Sequence, residues 1–183
     1  MTTITVGSQI LSLLTVAAQI SILITLTLFL ALPKKSKDKL KLFLSTNAIK
    51  LAFVVALFAT LGSLFYSEIA GYEPCVLCWF QRIFMYPQVV LFAIALFKKD
   101  RSIIDYAKVL SIIGMVIALY HYLLQIGLAP SITCGAVGYS VSCAKRFVME
   151  FGYITLPMMG LTAFAAIFLL MLLAKRFQKQ GKL

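Results

Sequence analysis

Acidic residues are scarce in this chain, six among 183, against 17 lysines and arginines. Charge of either sign is missing from long stretches, above all from Ser8 to Leu32. About 20 consecutive apolar residues suffice to cross a bilayer, so runs of this kind exclude a soluble domain and imply a polytopic membrane protein. Strand-length alternation of apolar and polar residues is also missing. That rules out a barrel and leaves a helical bundle, because lipid offers no partner to an unpaired backbone group. No haem attachment motif, iron–sulfur spacing or flavin or nicotinamide fingerprint occurs, which removes those redox groups from consideration. There is one histidine, His121, and there are four cysteines, Cys75, Cys78, Cys134 and Cys143.

Five spans are expected: Ser8–Leu32, a second from about Leu42 to Ala70, a third from Cys75 or Leu77 to Phe97, Ala107–Leu128 and Gly152–Ala174. A cleaved signal peptide is the competing reading of the first, but no basic residue precedes it and it exceeds a usual signal core. Lys34, Lys35, Lys37, Lys39 and Lys41 read as a solvated loop meeting anionic headgroups. The net charge of +11 invites a nucleic-acid reading, but its distribution speaks for topology. Every basic residue except Arg82, Lys145 and Arg146 falls in the 33–50 segment, the 98–108 segment or the C-terminal tail. By the positive-inside rule those segments face the cytoplasm, which puts the N-terminus outside, the C-terminus inside and all four cysteines on the extracytoplasmic side. Nucleic acid is not an expected partner; the lipid bilayer is.

Disulfides persist in that compartment, and proximity in sequence favours Cys75–Cys78 and Cys134–Cys143 as the pairs. Closing the ring between the latter two would contribute roughly 2–3 kcal/mol as a staple. The Gly and Ser content of the intervening segment suits an accessible redox pair better. No metal site is expected, since zinc would want four ligands at knuckle spacing. Cys78 and Arg82 stand one helical turn apart, and a helix start beside a guanidinium stabilises a thiolate. A dithiol at a membrane edge must pass its electrons on, and the acceptor present in a bacterial bilayer is a lipid quinone. Arg82 could bond a quinone carbonyl, with His121 at comparable depth as a second donor. The bland alternatives are snorkelling for Arg82, a core histidine bonded to a backbone carbonyl for His121, and belt or core roles for Trp79 and Tyr86.

The stretch Cys75-Val-Leu-Cys-Trp-Phe-Gln-Arg-Ile-Phe-Met-Tyr-Pro87 resembles the signature of the disulfide bond formation protein B (DsbB) family, in particular the branch typified by the bacillar protein C (BdbC). That branch reads Cys-x-x-Cys-Trp-x-Gln-Arg-x-x-Met-Tyr-Pro. The spacing of His121, Gln125 and Cys134, and the segment Phe151-Gly-Tyr-Ile-Thr-Leu-Pro157, are similar as well. The resemblance covers roughly residues 45–175. It implies an all-α fold: a four-helix core over 42–183, here preceded by an additional transmembrane helix and Lys-rich loop over 1–41. It also implies a protein-dithiol:quinone oxidoreductase of the bacterial cytoplasmic (inner) membrane. A DsbA-like thioredoxin-fold partner would be reoxidised, and ubiquinone or menaquinone would take the electrons. Cys134 and Cys143 would serve the partner, Cys75 and Cys78 would pass electrons on, and Cys78, Gln81, Arg82 and His121 would face the quinone. A vitamin K epoxide reductase-like enzyme would carry its quinone-side Cys-x-x-Cys after the loop cysteines, the reverse of the order here. A reductant carrier would need cysteines near the inner face, and a disulfide-stapled structural bundle is the non-enzymatic alternative. Two features depart from the family pattern: the additional first helix, and the eight residues between Cys134 and Cys143. Any interfacial helix is therefore expected after Cys143, over 144–151.

Overall fold

The computed structural model describes residues 2–31, 34–130 and 142–179. It contains five long helices: α1 (Thr2–Ala31), α2 (Lys34–Leu64), α3 (Val76–Lys98), α4 (Ile103–Gln125) and α5 (Leu156–Lys179). All five are long and apolar enough to cross a membrane. Among the described residues there is no strand beyond one isolated bridge, Glu150 to Ile154.

Helices α2, α3, α4 and α5 close a ring. Each packs on the next in sequence, and α5 returns to α2. Small residues let the backbones approach. Ala48, Ala52 and Ala56 form one buried stripe along α2, and Ala107, Gly114 and Ala118 do the same for α4. At Gly114 even a Cβ would lie 2.3 Å from the ring of Phe164, so α5 fits its aromatic into the space a side chain would need. In lipid, where apolar surface gains little by leaving the solvent, such close packing is the main source of helix association. Phe92, Phe164, Ile167 and Met171 fill the centre. One polar pair is buried there, the hydroxyl of Ser111 donating to Gln88 Oε1 at 3.2 Å.

The helix ends follow from local chemistry. A π-helical turn, Phe65–Ile69, finishes α2, and Gly71 with φ +68° reverses the chain. Cys75 sits in extended conformation at the N-cap of α3. Lys99, left-handed at φ 53°, terminates α3 with its N–H on the Ala95 carbonyl. At that end Asp105 pairs with Lys108 at 2.8 Å and with Lys175. The opposite end collects the start of α3, the end of α4 and the start of α5.

Two expectations need correction. The lysine run is not a loop: from Lys34 onward the chain is already helical, since lysine is a good helix former and α2 can begin in water before it enters lipid. No interfacial helix forms over 144–151 either. That segment is an irregular strap ending in a tight turn, with Phe151 at φ 53° and Gly152 at φ 77°, so α5 starts at Leu156. Two adjacent left-handed residues cannot continue a right-handed helix.

Candidate functional site

Cys75 and Cys78 are free thiols whose sulfurs lie 3.2 Å apart, about an ångström beyond bonding distance. Cys143 is disulfide-bonded, with neither of these two as its partner. Cys134 lies outside the described residues. Both thiols at the helix start touch the same small cluster, but only Cys78 also reaches the cavity. Cys75 is buried in a small apolar cluster with Leu77, Leu124 and Cys143. Cys78, one turn along α3, lines a cavity of about 310 Å³.

His121, buried on α4, joins the two cysteine-bearing segments. Its Nε2 is 3.1 Å from the Cys143 carbonyl and 3.7 Å from Cys75 Sγ, and its Nδ1 is 2.9 Å from Gln81 Nε2. A carbonyl only accepts, so Nε2 carries the proton and Nδ1 accepts from the Gln81 amide. The tautomer is thereby fixed, with the ring N–H turned to the Cys75 side. The hydrogen bond shared with the Cys78 thiol, opposed by burial and reinforced by His121, holds the Cys75 thiol below the usual range. The sequence points to Cys78 as the thiolate, whereas the His121 ring nitrogen stands beside Cys75, at 3.7 Å.

Gln81 has a steric dependency that the sequence does not announce. A Cβ at Gly160 of α5 would stand 2.7 Å from Gln81 Oε1, so the glycine keeps room for the amide that orients His121. On the strap side, Gln125 Nε2 donates to the Lys145 carbonyl and the Tyr120 hydroxyl donates to the Pro130 carbonyl. Tyr72 stacks on Phe147 with centroids 4.9 Å apart. The Gln125 bond ties the Cys143 segment to the end of α4, and the Tyr72–Phe147 stack ties it to the α2–α3 connection.

Arg82 does not reach for headgroups. Its Nε donates to Ser63 Oγ at 3.0 Å and its Nη2 to the Ser63 carbonyl at 3.1 Å, while the rings of Trp79 and Tyr86 flank it at 5.2 and 5.9 Å. Tyr86 also donates to Ser63 Oγ. Ser63 was invisible as a site residue, one serine among many in an apolar run. Two of the five guanidinium N–H groups are thus committed, and the remainder have no protein partner among the described residues.

The cavity is bounded by α1, α2, α3 and α5, with Cys78, Gln81 and Arg82 as its polar corner and mostly apolar walls elsewhere. Its size suits a small-molecule site. A quinone head fits that chemistry: a flat, largely apolar ring whose carbonyls need one or two donors. Of the expected contacts, Gln81 and Arg82 line the cavity, whereas His121 stands behind Gln81 and is not in the wall. The sulfurs of Cys75 and Cys78 and a His121 nitrogen lie within 4.8 Å of one another, a donor set able to hold a soft metal ion. A metal there would have to displace the His121–Cys143 bond.

Comparison with known proteins agrees with these features. Residues 45–175 match the family model described as disulfide bond formation protein DsbB. The SPbeta prophage-derived disulfide bond formation protein B of Bacillus subtilis (strain 168) is 49% identical over 118 residues, 64% of this chain and 78% of that protein. Disulfide bond formation protein C of the same organism is 41% identical over 129 residues, 68% of this chain and 89% of that protein. A probable disulfide formation protein of Oceanobacillus iheyensis is 44% identical over 132 residues, 72% of this chain and 91% of that protein. The unmatched part of that last protein is shorter than the 30 residues of α1. No solved structure matches the chain significantly. The dithiol, the histidine bridge and the arginine corner all fall inside the matched stretch, and the chain belongs to the disulfide bond formation protein DsbB family of disulfide-forming oxidoreductases.

Proposed function

We propose that this protein reoxidises an extracytoplasmic DsbA-like thioredoxin-fold partner and passes the electrons to a membrane quinone. The observation that carries the reading is the position of the dithiol between two sites: Cys75 is clustered with Cys143, and Cys78, at the edge of that cluster, also lines the cavity. The partner's thiolate attacks Cys134 of the Cys134–Cys143 pair, forming a mixed disulfide and freeing Cys143. Cys143, packed beside Cys75, then attacks the Cys75–Cys78 disulfide at Cys75. That bond breaks, and the leaving thiolate is Cys78, at the cavity. His121, with its ring N–H beside Cys75 and the Cys143 backbone, positions the two segments and stabilises negative charge on Cys75 during exchange. The partner's second cysteine closes its own disulfide and frees Cys134, whose thiolate attacks Cys143 of the Cys75–Cys143 linkage; the loop pair reforms and Cys75 leaves as the thiolate.

Each cycle thus takes two electrons and two protons from the partner's dithiol. A bound quinone supplies the acceptor for both and is released as quinol. Gln81 and Arg82 would hold its carbonyl side, and the aromatic clamp and Ser63 keep Arg82 from straying to the headgroups. The sidedness rests on the basic residues: Lys98, Lys99, Arg101, Lys175 and Arg176 cluster at the end opposite the cysteines, which supports an extracytoplasmic site on the bacterial cytoplasmic membrane.

The test is turnover of purified full-length protein with a reduced thioredoxin-fold partner and a short-chain quinone. Oxidation of the partner should require both reagents and vanish in Cys78→Ser. Catalytic oxidation surviving that substitution would sink the assignment.

A further inference from the structure

Helix α1 lies outside the family match, and the reaction above gives it no task. It is nevertheless built into the cavity. Leu11, Leu14, Thr15 and Ala18 line it opposite the polar corner of α3. The Thr15 hydroxyl is spent on its own helix, donating to the Leu11 carbonyl at 2.9 Å, so this wall presents no free donor. The helix is docked rather than merely adjacent. At Gly62 of α2 a Cβ would lie 3.0 Å from Leu11 Cδ2, and at Gly7 of α1 one would lie 2.3 Å from the Phe65 ring. One glycine on each helix therefore permits the approach. Polar contacts fix its register in an environment that offers them no water. Gln19 Nε2 donates to Thr162 Oγ1 at 3.0 Å and Gln19 Oε1 accepts from the Tyr153 hydroxyl at 2.8 Å, while Tyr66 meets Ser8 at 3.3 Å. Leu13, Ile20 and Leu23, on the other face, are exposed to lipid.

We propose that α1 is the apolar wall of the quinone site, closing toward lipid a cavity that α2 and α5 alone would leave open, and that it holds the non-polar part of the ligand. Polar recognition comes from α3 and apolar enclosure from α1, so α1 sets how tightly the quinone binds without touching thiol exchange. This rests on the quinone reading, and the experiment separates the two.

The readout is binding. Trp79, the single tryptophan, does not line the cavity but packs on Arg82, which does, so a quinone bound there should quench its fluorescence. Full-length protein in detergent is titrated with decylubiquinone as wild type, Ala18→Phe and Ala17→Phe. Ala18 faces the cavity; Ala17 is exposed and lines nothing. Ala18→Phe should raise the dissociation constant about tenfold, by filling space the ligand needs. It should raise the quinone KM in parallel and leave the KM for the reduced partner unchanged, with Ala17→Phe within twofold of wild type. Wild-type quenching with Ala18→Phe equal to Ala17→Phe overturns the role of α1 while leaving the quinone reading standing. Absence of saturable quenching in the wild type overturns both. If Ala18→Phe does not fold, Leu14→Ala decides: a wall opened by that truncation should weaken binding several-fold, and unchanged binding refutes the proposal.

Discussion

The two sides of the Cys75–Cys78 pair are built on opposite principles. Around Cys75 the space is closed and specified: a buried sulfur, a histidine of fixed tautomer, a backbone carbonyl and a second cysteine in one cluster. Around Cys78 it is open and mostly apolar, with two polar side chains at one corner. Thiol–disulfide exchange needs sulfurs held in line and a thiolate of the right charge, which favours a tight, hydrogen-bonded setting. A lipid-soluble acceptor needs room and apolar walls. One turn of helix separates the two demands, and His121 with Gln81 marks the boundary between them.

The largest expected effects come from removing either half. Cys75→Ser and Cys78→Ser should each lower turnover by a factor of about 100 or more, since a covalent relay has no substitute nucleophile. They should differ in what survives: quinone binding, read by Trp79 fluorescence, persists in Cys75→Ser. Next comes the boundary. Gly160→Val pushes a side chain into Gln81 and removes the donor that holds His121 Nδ1, loosening the ring, so exchange with the loop pair should slow by roughly 10- to 100-fold while the helical circular dichroism is retained. Arg82→Ala should cost ~10-fold in kcat/KM for the quinone and leave the partner's KM alone. Unchanged quinone kinetics would return Arg82 to a purely structural tie to Ser63. The smallest effect is in protonation. A lowered Cys75 pKa means that its thiolate forms as pH rises through a range below that of a free thiol, about 8.5. In His121→Ala the midpoint should move upward, because a donor to the thiolate is lost. Thiolate ultraviolet absorbance against pH, in the wild type and in that variant, measures the shift.

Much of this architecture was legible in the residues. Uncharged runs marked the five spans, and the Cys75–Pro87 stretch marked the family. What was not legible depends on which faces meet. Nothing in an apolar run singles out Ser63 as the acceptor for Arg82, or Gly160 as the space for Gln81, because both are contacts between helices distant in sequence. His121 could be placed at the right depth, but depth does not tell a cavity-lining donor from one turned to the Cys143 carbonyl. The lysine run was misread because charge suggests a loop, although lysine continues a helix readily. An interfacial helix after Cys143 fits the alternating residues of 144–151, but the segment is irregular, with Glu150 paired to Ile154 across the tight turn at Phe151 and Gly152.

The division of labour between the two thiols can be tested by trapping. Oxidised wild-type protein is briefly exposed to a reduced partner whose second active-site cysteine is replaced by serine, and the disulfides are mapped by mass spectrometry. The account predicts a Cys75–Cys143 linkage accumulating beside the Cys134–partner mixed disulfide, with Cys78 released as the free thiol. A Cys78–Cys143 linkage forming as readily as the other would contradict it.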